Sequence, residues 1–275
     1  MFSFNKYFFL FSRRMPLGFR AIAHAIYYFG LDLAHYLRYG TPDMFGTVQI
    51  ETNSSCNRAC IYCPNSVAKR ANQSLSLGDI GKILLELKEM KFKGVIVFSG
   101  YNEPLMDPRL NEIAELTRNS LPENRMIIYT NGDNLDERWM KIAGMLRIEL
   151  NVTLHDGGAG EERIKRLLND IPREMKRRIY IKKDLTRTAL STRGGLVEVP
   201  QKFRRSACRV PSSELTIMSD GNVVLCSDDF NSTVVFGNIK NDSIAAIWGS
   251  EKYRRVRREI RKGNFFLPIC RHCAG

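Results

Sequence analysis

At 275 residues, with 44% hydrophobic, 10% aromatic and 26% charged side chains, the chain has globular composition, which excludes a disordered, collagenous or coiled-coil protein. No run of about 18 apolar residues occurs, so no conventional transmembrane helix is expected, and no signal peptide is expected at the N-terminus. The net charge of +13 is uneven: residues 161–210 hold 15 basic and 6 acidic side chains, among them Lys176, Arg177, Arg178, Lys182, Lys183, Arg204 and Arg205. Such a stretch is either a solvated basic face or a field that attracts phosphate, nucleic acid or acidic lipid.

In chain order, residues 1–45 stand apart. They are rich in aromatics (Phe2, Phe4, Tyr7, Phe8, Phe9, Phe11) and read as a helix from Pro16 to Tyr39. Packing on the body of the protein is the simpler expectation; a membrane surface or a partner protein is the alternative. From residue 46 strand and helix patterns alternate. Strands are expected at Gly46–Thr52, Val95–Phe98, Met126–Thr130, Ile148–Leu154 and from Ile179 to Ile181. Helices are expected at Leu77–Met90, Pro108–Thr117, Leu135–Met145 and over 160–170. Such βα units imply a parallel sheet or partial barrel, with its site at the C-terminal ends of the strands. After residue 190 the rhythm changes. Leu215–Met218 and Val223–Leu225 flank Asp220-Gly221, a hairpin signal; a strand at Val234–Phe236 and a helix from Ser243 to Arg261 follow. The expected organisation is an extension over 1–45, a core over 46–190 and a small module over 191–275.

The chain has seven cysteines, an odd number that suits metal ligation in a reducing cytosol better than a disulfide framework. Cys56, Cys60 and Cys63 form C-x3-C-x2-C just after the first strand. Three thiolates on a short loop can hold three corners of an iron–sulfur cube and leave one iron open; alone they cannot close a structural zinc site. The other four are Cys208, Cys226, Cys270 and Cys273. Their number is enough to close a site, and spacing alone allows zinc or [4Fe–4S].

With Tyr62 before its last cysteine, the first motif resembles that of the radical S-adenosylmethionine (radical SAM) superfamily. The resemblance implies an α/β fold, a partial (β/α) radical SAM barrel with a C-terminal hairpin-plus-helix iron–sulfur module. It implies S-adenosylmethionine and two [4Fe–4S] clusters as cofactors, and a reductant such as flavodoxin or ferredoxin. Cys56, Cys60 and Cys63 would hold the first cluster. The second set, with its Gly221-x4-Cys226 hairpin, is similar to the twitch/SPASM-like module and would hold the auxiliary one. Tyr62, Tyr101, Asn102, Glu103, Pro104, Thr130, Asn131, Gly132, Thr153 and His155 would line the cofactor. Asn102 stands where the family has glycine, the residue that lets backbone approach a ligand closely. For His155 a buried structural role is equally open.

Stretches shared with one alcohol-oxidising member of the family are Cys56–Arg70, Tyr129–Asp133, Arg193-Gly194-Gly195 and Gly221–Trp248. Arg193 falls where that member places an arginine on the substrate hydroxyl; anchoring its loop is the plainer role. The implied activity is oxidation of a hydroxyl on a sugar, cyclitol or related metabolite, with the auxiliary cluster as electron acceptor. Ser227 and Asp228 are candidates to face the substrate, and the basic stretch would fit an anionic group on it. Peptide modification is the second enzymatic reading. A non-enzymatic one is a zinc-stapled nucleic-acid-binding module using the Arg-rich helix Tyr253–Lys262; the interleaved Glu259 makes a solvated face more natural there. The expected location is cytoplasmic, with peripheral membrane contact through residues 1–45 as the open alternative.

Overall fold

A computed structural model describes residues 43–155, 158–169, 171–183, 190–199 and 207–274, with scattered positions between 19 and 37. The chain divides into two compact units, Met1–Met44 and Phe45–Gly275. In the first, the described positions between 19 and 37 are helical; its aromatic N-terminal run lies outside the described residues, as do Arg204 and Arg205 of the basic stretch.

The second unit is built on one sheet of eight described strands. These are β1 (Thr47–Ile50), β2 (Val95–Phe98), β3 (Arg125–Thr130), β4 (Ile148–Leu154), β5 (Ile179–Lys183), β6 (Glu214–Ile217), β7 (Asn222–Val224) and β8 (Val235–Asn238). Their spatial order is β5-β4-β3-β2-β1-β6-β7-β8. β1 to β5 are parallel, and β6 joins β1 in parallel register with Val48 opposite Leu215. Segments 46–190 and 191–275 therefore share a single sheet.

Helices α1 (Leu77–Glu89), α2 (Leu110–Ser120), α3 (Glu137–Met145) and α4 (Gly158–Asn169) are the crossovers that parallel strands require. α1 begins in a capping box, in which the Ser76 side chain accepts from Asp79 N–H and the Asp79 carboxylate accepts from Ser76 N–H. Its Ile80, Ile83, Leu84 and Leu87 are fully buried, each worth roughly 1.5–3 kcal/mol relative to exposure. Short α5 (Arg173–Lys176) leads into β5, and α6 (Val210–Ser213) into β6.

The hairpin forms as expected: β6 and β7 are antiparallel around Asp220-Gly221. Gly221 has φ +92°, and a Cβ there would lie 2.7 Å from Asn238 Oδ1, so only glycine fits. The helix expected from Ser243 to Arg261 is two, α7 (Ile244–Gly249) and α8 (Glu251–Arg261). Ser250 is extended between them and caps the second by accepting from Tyr253 N–H. On α8, Arg257 is buried rather than offered to a polyanion: its guanidinium stacks on Trp248 at 3.9 Å and donates to the Trp248 carbonyl. The chain closes with α9 (Pro268–Ala274), which places Cys270 and Cys273 one helical turn apart. Among the described residues no helix is long and apolar enough to cross a membrane.

Candidate active site

The loop after β1 carries Cys56, Cys60 and Cys63, all half-buried free thiols. The Cys63 N–H donates to the Cys60 carbonyl at 2.8 Å, folding the loop into a tight turn. Burial pushes the Cys56 and Cys63 thiols above their ordinary range, and the neighbouring thiols add to it. The loop is tied to the end of β3 by Arg58, whose guanidinium makes a bidentate pair with Asp133 at 2.7 Å. Asn57 donates to Asp133 and accepts from Asn131.

Around this loop the strand ends bring together most of the residues expected from sequence. Glu103, 2% exposed, accepts from Thr130 Oγ1 at 2.6 Å, from Asn131 N–H at 2.7 Å and from Leu105 N–H at 3.0 Å. Burial pushes its carboxyl up in spite of those donors. Pro104 starts a short 3-10 turn and is buried. Gly132 donates its N–H to Thr130 Oγ1. Thr153 lies at the end of β4, and His155 follows it. Tyr62 Oη stands 3.2 Å from His155 Nδ1, with the two rings stacked, and Cys60 Sγ lies 3.8 Å from the same nitrogen. Burial raises the Tyr62 phenol, so it stays neutral. His155 thus lies half-buried against the cysteine loop.

The side-chain amide of Asn102 is enclosed with neither polar atom paired among the described residues. A buried polar group without a partner costs about 1–3 kcal/mol, which suits a site that receives a polar molecule.

Glu51 is the residue that sequence reading passed over. It is 1% exposed at the end of β1. Its carboxylate takes both ends of the Arg70 guanidinium, at 2.8 and 2.5 Å, and accepts from Tyr101 N–H and from Ser219 N–H and Oγ. Arg70 in turn lies 4.7 Å over the Phe230 ring. One carboxylate thereby fastens the cysteine loop, β2 and β6. A Cβ on Gly100 would come within 2.6 Å of it, so that position must be glycine. The available signal was a pair of polar residues, Glu51-Thr52, closing an alternating strand.

The second set assembles from distant segments. Cys208, Cys226, Cys270 and Cys273 line one small enclosed cavity with Leu225, Ile260, Phe265 and Ile269. Burial pushes the Cys226 thiol well above its ordinary value and Cys270 up to about 12. Among the described residues no three His, Cys, Asp or Glu side chains converge closely enough to share one metal ion. Cysteine thiolates are the donors that an iron–sulfur cubane takes, one on each iron it binds, and both sets supply them.

Arg193 lies between the two sets. It has φ +50° in a tight turn, with its guanidinium 5.9 Å from the Tyr101 ring centroid and Nη1 donating to Asp228 Oδ1 at 2.8 Å. Ser191 Oγ donates to the same oxygen, and Cys273 Sγ to the other at 3.4 Å. Burial opposes the Arg193 charge, but Tyr101, Asp228 and Cys63 outweigh it and hold the guanidinium protonated. Arg193 Nε is buried and unpaired among the described residues. Ser227 turns its carbonyl to the Tyr101 hydroxyl.

The radical SAM superfamily model matches residues 50–169, and the SPASM iron–sulfur cluster-binding domain matches residues 208–274. The chain is 33% identical over 235 residues to the S-adenosyl-L-methionine-dependent 2-deoxy-scyllo-inosamine dehydrogenase of Niallia circulans, spanning 84% of this chain and 93% of that one. The chain belongs to the radical SAM superfamily. The crystal structure of BtrN in complex with AdoMet and 2-DOIA is similar to it, with TM-score 0.77 and 32% identity over 84% of this chain and 94% of that one. Native anSMEcpe with bound AdoMet shares the fold alone, at TM-score 0.58 and 14% identity over 83% of this chain and 88% of that one. As a radical SAM oxidoreductase the chain uses S-adenosylmethionine and [4Fe–4S] chemistry. These matches support the enzyme reading over a zinc-stapled binding module.

Proposed function

We propose that this chain is a two-cluster dehydrogenase that oxidises a hydroxyl of a sugar, cyclitol or related small molecule. The observation that carries the reading is Arg193, a charged guanidinium beside Tyr101 whose Asp228 partner also meets Cys273. A hydroxyl bound by Arg193 would sit between the cysteine loop that starts the reaction and the cavity that takes its last electron.

Cys56, Cys60 and Cys63 would hold the first cluster; Cys208, Cys226, Cys270 and Cys273 would hold the second. When bound, S-adenosylmethionine and the first cluster supply a 5′-deoxyadenosyl radical able to remove a hydrogen atom from a substrate carbon. Glu103 would accept from the amino group of the cofactor's methionine part, with its second-side donors Thr130 and Asn131 keeping it aimed. Asn102, Tyr101, Pro104, Gly132 and Thr153 would line the same cradle, and Tyr62 with His155 would close its wall.

After hydrogen loss the hydroxyl must give up a proton and the carbon one electron. Arg193 keeps its own proton, so it would donate to the hydroxyl oxygen and stabilise the alkoxide as the hydroxyl proton passes to solvent at the half-exposed cysteine loop. Asp228 and Ser191 fix the guanidinium in place. The apolar walls of the second cavity exclude water from the electron acceptor.

The test is turnover of polyols deuterated at single carbons after anaerobic reconstitution with iron and sulfide. Deuterium in 5′-deoxyadenosine, with one ketone formed per cleavage, is the expected outcome. Cleavage that never carries substrate deuterium, or that returns the substrate unoxidised, overturns the reading.

A further inference from the structure

The face of the sheet away from the covering helices carries a cation that the proposed chemistry leaves unused. In register, Tyr129 of β3 stands opposite Asn151 of β4, Asn151 opposite Tyr180 of β5, and Thr153 opposite Lys182. Partners across a ladder point to the same face. The other face is the helix-covered one: Val152 is fully buried, and a Cβ on Gly132 would meet both its methyl and Ile164 of α4. Leu150 and Leu154 share that covered face and are buried. Asn151, Thr153, Tyr180 and Lys182 therefore line the open side, with His155 just beyond Thr153.

Lys182 is exposed there, its Nζ 5.6 Å from the Tyr129 ring centroid. Among the described residues it makes no salt bridge. Arg58, Arg70, Arg125 and Arg193 each hold a carboxylate. The acids of the open face are engaged as well: Glu149 by Arg125, and Glu214 by the Thr216 hydroxyl. Burial raises the Tyr129 phenol, so its hydroxyl remains a donor. Among the described residues Lys182 is thus a cation without a carboxylate partner on this face, with the Tyr129 ring beneath it and Asn151 on the neighbouring strand.

We propose that Lys182, with Tyr129 and Asn151 beside it, forms a subsite for an anionic group, a phosphomonoester or a carboxylate, carried by the hydroxylated substrate. This rests on the dehydrogenase reading and narrows its substrate class. An ammonium on a flexible stem is a compact point charge suited to such a group. The Tyr129 ring lies beneath it. The neighbouring polar groups supply further hydrogen bonds.

The proposal is tested by direct calorimetric binding to the reconstituted full-length protein. The probes are myo-inositol, myo-inositol 1-phosphate, glucose and glucuronate. At least one charged probe should bind about tenfold or more tightly than its neutral counterpart, the gain of one charge-assisted contact; which one separates phosphate from carboxylate. Lys182→Met should erase that preference while leaving the neutral probes' Kd in place, and Lys182→Arg should restore it. Equal affinities, undetectable binding of both charged probes, or a preference that survives Lys182→Met overturns the proposal. Binding alone is read, so a chain that fails the deuterium experiment can still pass this one, and the reverse.

Discussion

The two cysteine sets are built by opposite means. The first is one short loop, half-exposed, held in place by polar contacts: Arg58 to Asp133, Asn57 to Asn131, and Arg70 to Glu51. The second draws Cys208, Cys226, Cys270 and Cys273 from a loop, a hairpin and a terminal helix into an apolar cavity. A centre that must admit a polar cofactor needs an open side and fixed hydrogen-bonding groups. A centre that only passes electrons is better closed, since dry surroundings and full ligation keep it from binding anything else.

The comparison breaks most sharply at the first set. Cys60→Ala should abolish 5′-deoxyadenosine formation, measured by chromatography after reduction, with iron falling by about four per chain. Detectable cleavage at the wild-type rate would remove that thiol from the centre. Cys226→Ala should spare cleavage of S-adenosylmethionine and lose the oxidised product; full product yield would deny the second centre its role as acceptor. The smallest of the three effects belongs to the supports. Arg70→Met strands the buried Glu51 charge and should cost about 3–5 kcal/mol of stability, read by chemical denaturation. A loss under ~1 kcal/mol would mean that the donors from Tyr101 and Ser219 hold Glu51 unaided.

Much of this was legible in advance because it is local. Alternating βα units fixed a parallel sheet, and the strand after residue 46 ends where C-x3-C-x2-C begins. Asp220-Gly221 marked its hairpin through a backbone angle that only glycine takes easily. The break at Ser250 escaped the helical pattern because a serine that caps one helix reads as an ordinary polar residue within a longer one. Glu51 and Arg70 escaped for another reason: their 19-residue separation and their partners at Tyr101 and Ser219 carry no period.

The sequence by itself determined the strand rhythm, the three-thiol loop and the family that the loop belongs to, since each is written in neighbouring residues. Only the tertiary structure decided that Arg193 meets Asp228 beside Cys273, that Arg257 is buried against Trp248, and that Lys182 lies over Tyr129 on the sheet face away from the helices. Those outcomes depend on strand register and on which face of the sheet the helices cover, and both are set by packing between segments far apart in the chain.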